Sequence, residues 1–482
     1  MKQSLKAIVL LLLLFTIVWF VLGVTEIVEC QNGAKAFFET WKQTKRGGKV
    51  PSMLFSSGQE LKDHDDSLLR LNRSGDRVNR FTEEDNPFKY SGFIEVNSTY
   101  SGQMYYVFME AQNGNPNAPV IAWFQGGPGS ASIFGLFVEN GPYLVDPTTL
   151  ELVKNKYTWN ADHHMIWIDN PLGSGFSHVK SPGYVHSEDR VASELHIFLI
   201  KFFQLDFAAK YKSNPLYLFG ESYAGKYIPS IAYNIMNSGF PVNLVGIGIG
   251  DGLTHPIDQF STYDTFSYSV GLIDQKQQQV VQQYQNQMVK LIQAGRYIEA
   301  MDVNNNMTDY VIGQCSGGVN VYDIRTYGDY DITAYIKYVE QPYVKQLMHT
   351  VGVKYYDSNP TVWNNLYADI AKSVRHKVEA LLDCPTRKIR VLLYNGQYDW
   401  LVNYIGASKW IDGMKWRYSS SYLNDQGPGR KPWKIGNQVV GYVHAYENLI
   451  QLVVNGAGHL SPMDQPRNVL EMVRTFTSNR DF

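Results

Sequence analysis

Residues 216–225 read LYLFGESYAG. An apolar, β-prone run ends in Gly220, and Ser222 follows in a turn crowded with small residues. A serine held there in a strained backbone conformation projects its hydroxyl above a sheet. The hydroxyl alone is a weak nucleophile, so the layout demands a base, a carboxylate and a place for developing negative charge. A serine that merely caps a helix would need none of these. His459, in NGAGHLSPMDQP at 455–466, offers the base, and Asp399, in VLLYNGQYD at 391–399, offers the carboxylate. Each follows a strand-like run, and the order serine, aspartate, histidine is one used by hydrolytic triads. His459 would take the proton of Ser222 and pass it to the leaving group, while Asp399 holds the imidazole tautomer. Gln125-Gly126-Gly127-Pro128-Gly129 follows another apolar run. Its glycines let backbone N–H groups approach an oxyanion with no Cβ in the way, and losing one such donor costs about 3 kcal/mol of barrier. Neither GK[ST] nor GxGxxG accompanies it, which argues against a phosphate cradle.

Apolar runs at 120–124, 165–168, 216–219, 244–249, 391–394 and 449–454 recur with turn chemistry after them. With helical patterns such as 191–207 between them, they predict an α/β fold of buried parallel strands and crossover helices. Alternation at 90–96 predicts a hairpin with one exposed face. Between 255 and 384 the strand pattern lapses. Val280, Tyr284, Met288 and Leu291 recur at helical spacing, Gly295 breaks the pattern before a second short helix, and the glutamines at 275–287 read as a solvated face. The expected organisation is a leader at 1–24, an N-terminal extension at 25–87, core at 88–254, a helical cap insertion at 255–385 and further core at 386–482. The insertion would lie over the sheet's C-terminal edge as a lid.

A net charge of −2 leaves no basic footprint for nucleic acid. Lys2 and Lys6 precede an apolar run at 7–24, which reads as a secretory signal cleaved near Gly23, with an uncleaved anchor as the alternative. Cleavage would leave no stable membrane association. Sequons at Asn72, Asn97 and Asn306 fit the same route and would carry glycans. Cys30, Cys315 and Cys384 allow one disulfide, Cys315 with Cys384, or two buried thiols with no bond. None has metal-ligand spacing, and no metal or cofactor is expected.

WFQGGPGSAS at 123–132, DNPLGSGFS at 169–177, GESYAGKYIP at 220–229 and the Asp399 and His459 segments together resemble the serine carboxypeptidase family. The similarity runs from about Phe88 to the C-terminus. Gln125, where most members have asparagine, and NGQYD are similar to the vitellogenic-like branch. The resemblance implies an α/β-hydrolase fold, peptide or protein C-termini as partners, a secreted or lysosomal location and, as in many relatives, a homodimer. It implies an oxyanion hole of the Gly127 and Tyr223 N–H groups. It also implies a clamp for the substrate carboxylate made of Gln125, the Gly126 N–H and Glu221, with Trp123 as a wall. Two close carboxylates cannot both ionise cheaply, so Glu221 is expected to hold a proton and activity to favour acid. The expected reaction releases C-terminal residues through an acyl-enzyme. Acyl transfer on the same triad and an inactive storage or binding protein are the alternatives, the latter opposed by the intact Ser222, Asp399 and His459. Ala224 in the second glycine position of the elbow, the extra methylene of Gln125 and the few cysteines depart from the family pattern.

Overall fold

The structure is a computed structural model and describes residues 80–482, apart from 425 and 428. The leader at 1–24, Cys30, Asn72 and the extension up to residue 79 lie outside the described residues.

Runs such as VIAWF and HMIWI have no polar face to offer water, so they pair as strands covered on both sides. β3 (Val120–Phe124), β6 (His164–Ile168) and β7 (Leu216–Glu221) are buried at every residue. With β8 (Leu244–Gly250), β9 (Arg390–Gly396) and β12 (Leu449–Val454) they form six parallel strands in the order β6-β3-β7-β8-β9-β12. The hairpin β1 (Tyr90–Asn97) and β2 (Gly102–Met109) extends the sheet antiparallel beside β6. At the other edge β11 (Gln438–Tyr446) and β10 (Arg430–Ile435) do the same beside β12, giving a ten-stranded sheet. A separate two-stranded ribbon joins β4 (Tyr143–Val145) to β5 (Leu152–Lys154).

Alternate side chains leave opposite faces, as the strand period requires. Ala122, Phe124, Leu218, Ile249 and Leu393 pack with Leu195, Phe198, Ile228 and Leu381 from helices Glu188–Phe202, Ala224–Ser238 and Arg375–Leu382. Ile121, Trp123, Phe219, Leu392 and Tyr394 pack instead with Val469, Val473 and Phe476 of helix Pro466–Thr477.

Between β8 and β9 the chain is helical, with Gln275–Gln293, Tyr297–Thr308 and Pro360–Ile370 the longest elements. In the first of these, the glutamines are not simply a solvated face. Gln285 is buried and receives and gives hydrogen bonds at Asp264, donating to Oδ1 at 3.0 Å and accepting from the backbone N–H at 2.7 Å, and Gln282 donates to Asp264 Oδ2 at 2.9 Å. Two stretches of this region reach the loops at the C-terminal ends of the strands. Tyr322 O accepts from His459 N–H at 2.7 Å, and Val321 O accepts from Trp400 N–H at 3.2 Å. Asn359 N–H donates to Gly129 O at 3.0 Å, and Ala131 N–H donates to Asp357 O at 2.8 Å. Among the described residues no helix is long and apolar enough to cross a membrane.

Candidate active site

Ser222 is the residue between β7 and the helix Ala224–Ser238, and its φ is +62°. A non-glycine residue in that region costs about 1–3 kcal/mol and persists only where its surroundings enforce it. Here they do: its N–H donates to Gly250 O at 3.0 Å, and its carbonyl accepts from Gly225 N–H at 2.9 Å and Leu253 N–H at 3.0 Å. The glycine loop after β3 lies directly against this turn. A Cβ on Gly126 would stand 2.5 Å from Tyr223 N and 2.6 Å from Ser222 Cβ, so only glycine permits the approach.

Asp399 and His459 are both buried in the loops that leave β9 and β12. His459 Nδ1 donates to Asp399 Oδ2 at 2.8 Å, and Asp399 Oδ1 accepts from Val402 N–H at 3.1 Å. That fixes the ring's tautomer and leaves Nε2 as its free edge, buried and without a protein partner. Burial opposes charge on the imidazole, but the adjacent Asp399 carboxylate outweighs it and raises His459 above its ordinary value. The ring packs at 5.1 Å against Tyr322, which sequence reasoning missed because it comes from the helical region, 137 residues before His459 in the chain as numbered.

The residues expected to clamp a carboxylate form one buried chain of contacts. Trp123 Nε1 donates to Gln125 Oε1 at 3.2 Å, and Gln125 Nε2 donates to Glu221 Oε1 at 2.7 Å. The Gln125 amide is thereby oriented at both ends. Glu221 Oε2 and both oxygens of Glu139 are buried and meet no hydrogen-bond partner among the described residues. Burial pushes both upward. Glu221 is raised to about 7, tempered by the His459 charge, Gln125 and Glu139, whereas Glu139 rises well above the carboxylate range because Glu221's charge adds to burial. Both carboxyls are thus driven toward the neutral form as pH falls. Sequence reasoning missed Glu139, although a lone carboxylate in the apolar stretch IFGLFVEN is a visible signal.

Asp251, directly after β8, is another buried carboxylate that sequence reasoning passed over. Polar atoms of Asp251, Asp399 and His459 lie within 4.8 Å of one another. The donors already in place on them, from Gly396, Ser461, Val402 and the imidazole, suit a hydrogen-bond relay better than a cation cage.

Two expectations are corrected. Cys315 and Cys384 are both free thiols: Cys384 lies buried beside Thr386, and Cys315 lies partly buried against Tyr310. Asn97 is only 5% exposed and donates its Nδ2 to Glu194 Oε1 at 3.1 Å, so its amide is committed inward and has no room for a glycan. Asn306 is exposed on helix Tyr297–Thr308.

A family profile described as serine carboxypeptidase matches residues 80–479. The chain is 39% identical over 416 residues to the probable serine carboxypeptidase CPVL of Dictyostelium discoideum, covering 82% of this chain and 79% of that one. It is 35% identical over 404 residues to the human protein of that name, covering 80% and 82%. Against the venom serine carboxypeptidase of Apis mellifera it is 33% identical over 411 residues, covering 82% and 85%. Among solved structures, Kex1, a prohormone-processing carboxypeptidase from Saccharomyces cerevisiae, aligns with a TM-score of 0.70 at 23% identity, covering 81% of this chain and 90% of that one. This likeness gives the sheet its class, the α/β-hydrolase fold.

Proposed function

Because the chain belongs to the serine carboxypeptidase family and is a serine-type carboxypeptidase, we propose that Ser222, His459 and Asp399 carry the reaction. Ser222 Oγ attacks the carbonyl carbon of the last peptide bond, and its proton moves to His459 Nε2. The Gly127 and Tyr223 N–H groups receive the oxyanion, His459 returns the proton to the leaving nitrogen, and the C-terminal amino acid departs. Water, with its proton drawn off by His459, then attacks the acyl carbon, and His459 returns that proton to Ser222 Oγ as the acid product leaves.

The observation that carries the exopeptidase reading is the buried hydrogen-bonded chain Trp123, Gln125 and Glu221, whose last member directly precedes Ser222. Gln125, the Gly126 N–H and a protonated Glu221 would hold the substrate's terminal carboxylate. Glu221 must keep its proton for this, so kcat/KM falls as pH rises through about 7. Glu221's charge is itself one of the influences that raise His459, so protonating Glu221 eases the imidazole back toward its ordinary value. A secretory, acidic compartment suits that requirement, with the leader removed and Asn306 as glycan acceptor.

The test compares a peptide with a free C-terminus against its amide, with fluorophosphonate labelling of wild type and Ser222→Ala alongside. Stepwise trimming of the free peptide only, and labelling of wild type only, is expected. Equal cleavage of the amide would remove the clamp, and equal labelling would remove Ser222 as nucleophile.

A further inference from the structure

The nucleophile, base and carboxylate of the proposed reaction sit on three different loops, after β7, β12 and β9. The turn Gly250–Asp251 touches the frame of all three. Asp251 Oδ1 accepts from Gly396 N–H at 2.6 Å, three residues before Asp399. Asp251 Oδ2 accepts from Ser461 Oγ at 2.9 Å, two residues after His459. Its backbone N–H donates to Tyr394 O at 2.7 Å, and the residue before it, Gly250, accepts the N–H of Ser222 at 3.0 Å. The Asp251 backbone has φ +46°, unusual for a residue other than glycine and tolerated best by aspartate and asparagine. The Asp399 and His459 segments are in close contact: a Cβ on Gly396 would stand 1.8 Å from Gly458 O in the His459 loop.

We propose that Asp251 is a positioning residue that holds the Asp399 and His459 loops in register against the loop that anchors Ser222. The inference rests on the triad reading above. Ser461 is its second arm, because the Ser461 hydroxyl links Asp251 to the segment that carries the imidazole, with Gly458 O 3.2 Å away as its alternative acceptor. The inference concerns alignment: a displacement of about 1 Å between reacting groups costs roughly 100-fold in rate while leaving substrate binding intact. Glu221 of the clamp pairs with Gly250 in the sheet, but neither of these two bonds ends on a clamp residue, so the loss is expected in kcat and not in KM.

The experiment measures kcat, KM, fluorophosphonate labelling rate and thermal midpoint for Asp251→Asn, Asp251→Ala and Ser461→Ala, with Ser222→Ala as control. Asp251→Ala should lower kcat about 100-fold with KM within about twofold, and labelling should slow in parallel. Asp251→Asn keeps one acceptor oxygen and a side chain suited to positive φ, and should recover part of the loss. Ser461→Ala deletes only a hydroxyl, so it remains folded and informative even where Asp251→Ala does not fold, and it should lower kcat about tenfold. Wild-type kcat and labelling in Ser461→Ala and Asp251→Asn, with or without a lowered thermal midpoint, overturns the proposal. An active Ser222→Ala would instead overturn the triad reading on which it stands.

Discussion

Burial pushes Glu221, next to the nucleophile, toward its neutral form, and what it contributes can be isolated by substitution. Glu221→Gln keeps a hydrogen-bond donor for a substrate carboxylate and removes the titration at about 7. At pH 8, about one unit above that value, the wild type should retain about a tenth of its limiting kcat/KM, whereas the variant should show no such fall. A full pH profile on an N-blocked dipeptide checks this, and an unchanged alkaline limb in the variant would acquit Glu221. Ser222, Asp399 and His459 were visible as candidates because each stands in a turn whose glycines and flanking apolar run mark it, whereas Gln125 came from the family resemblance. Glu139, Asp251 and Tyr322 were not visible, since their roles arise from neighbours 82, 145 and 137 residues away in the numbering, namely Glu221, Gly396 and His459. No local pattern encodes such a meeting.

At the level of elements, the helix Pro360–Ile370 is tied to the nucleophile's own helix by an ion pair with almost no access to water. Lys226 Nζ donates to Asp369 Oδ2 at 2.7 Å and to the Asp369 carbonyl, and Tyr223 OH donates to the same Oδ2 at 3.0 Å. The side chains of Lys226 and Asp369 are 0% and 4% exposed. Removing one member of a buried pair leaves an uncompensated charge and costs about 3–5 kcal/mol. Asp369→Ala should therefore lower the unfolding free energy by about that amount in urea titration, and adding Lys226→Met should restore much of it. Equal losses in single and double variants would count against the pair. The central strands were readable because strands buried on both faces are apolar throughout. The hairpin β10–β11 was not, because only Trp433 of β10 is buried and Pro432 interrupts the run. The glutamine-rich helix was readable as a helix but not in its packing, since Asp264 supplies the partner that lets a polar side chain turn inward.

Across the whole molecule, burial sets a common direction for carboxyl groups. Asp169, Asp357 and Asp464 are raised to about 7, Glu188 to about 8 and Glu221 to about 7, burial being the first cause in each, while Glu139 and Asp251 go further up. A carboxyl whose folded value is raised favours the folded state below its unfolded value of about 4, and that advantage is lost as pH rises through the folded value. Stability should therefore decline between about pH 5 and pH 8. His163 and His255 work oppositely: burial lowers both to about 4, so they favour the folded state above about 6.5 and withdraw that support as pH falls toward 4. The carboxyls outnumber these histidines, so the net slope is downward above about pH 4. Thermal midpoints from pH 4 to 8 test this, with a loss on the order of several kcal/mol expected by pH 8. A midpoint rising from pH 5 to 8 would refute it. The sheet's far border carries one more consequence. An unpaired strand is a template on which a second chain can crystallise, yet β10 offers Pro432, which has no N–H to give, between Lys431 and Lys434, with Arg430 and Lys434 exposed. Growth of the sheet by continued backbone hydrogen bonds is thereby opposed at this edge, so pairing between copies would have to use another surface.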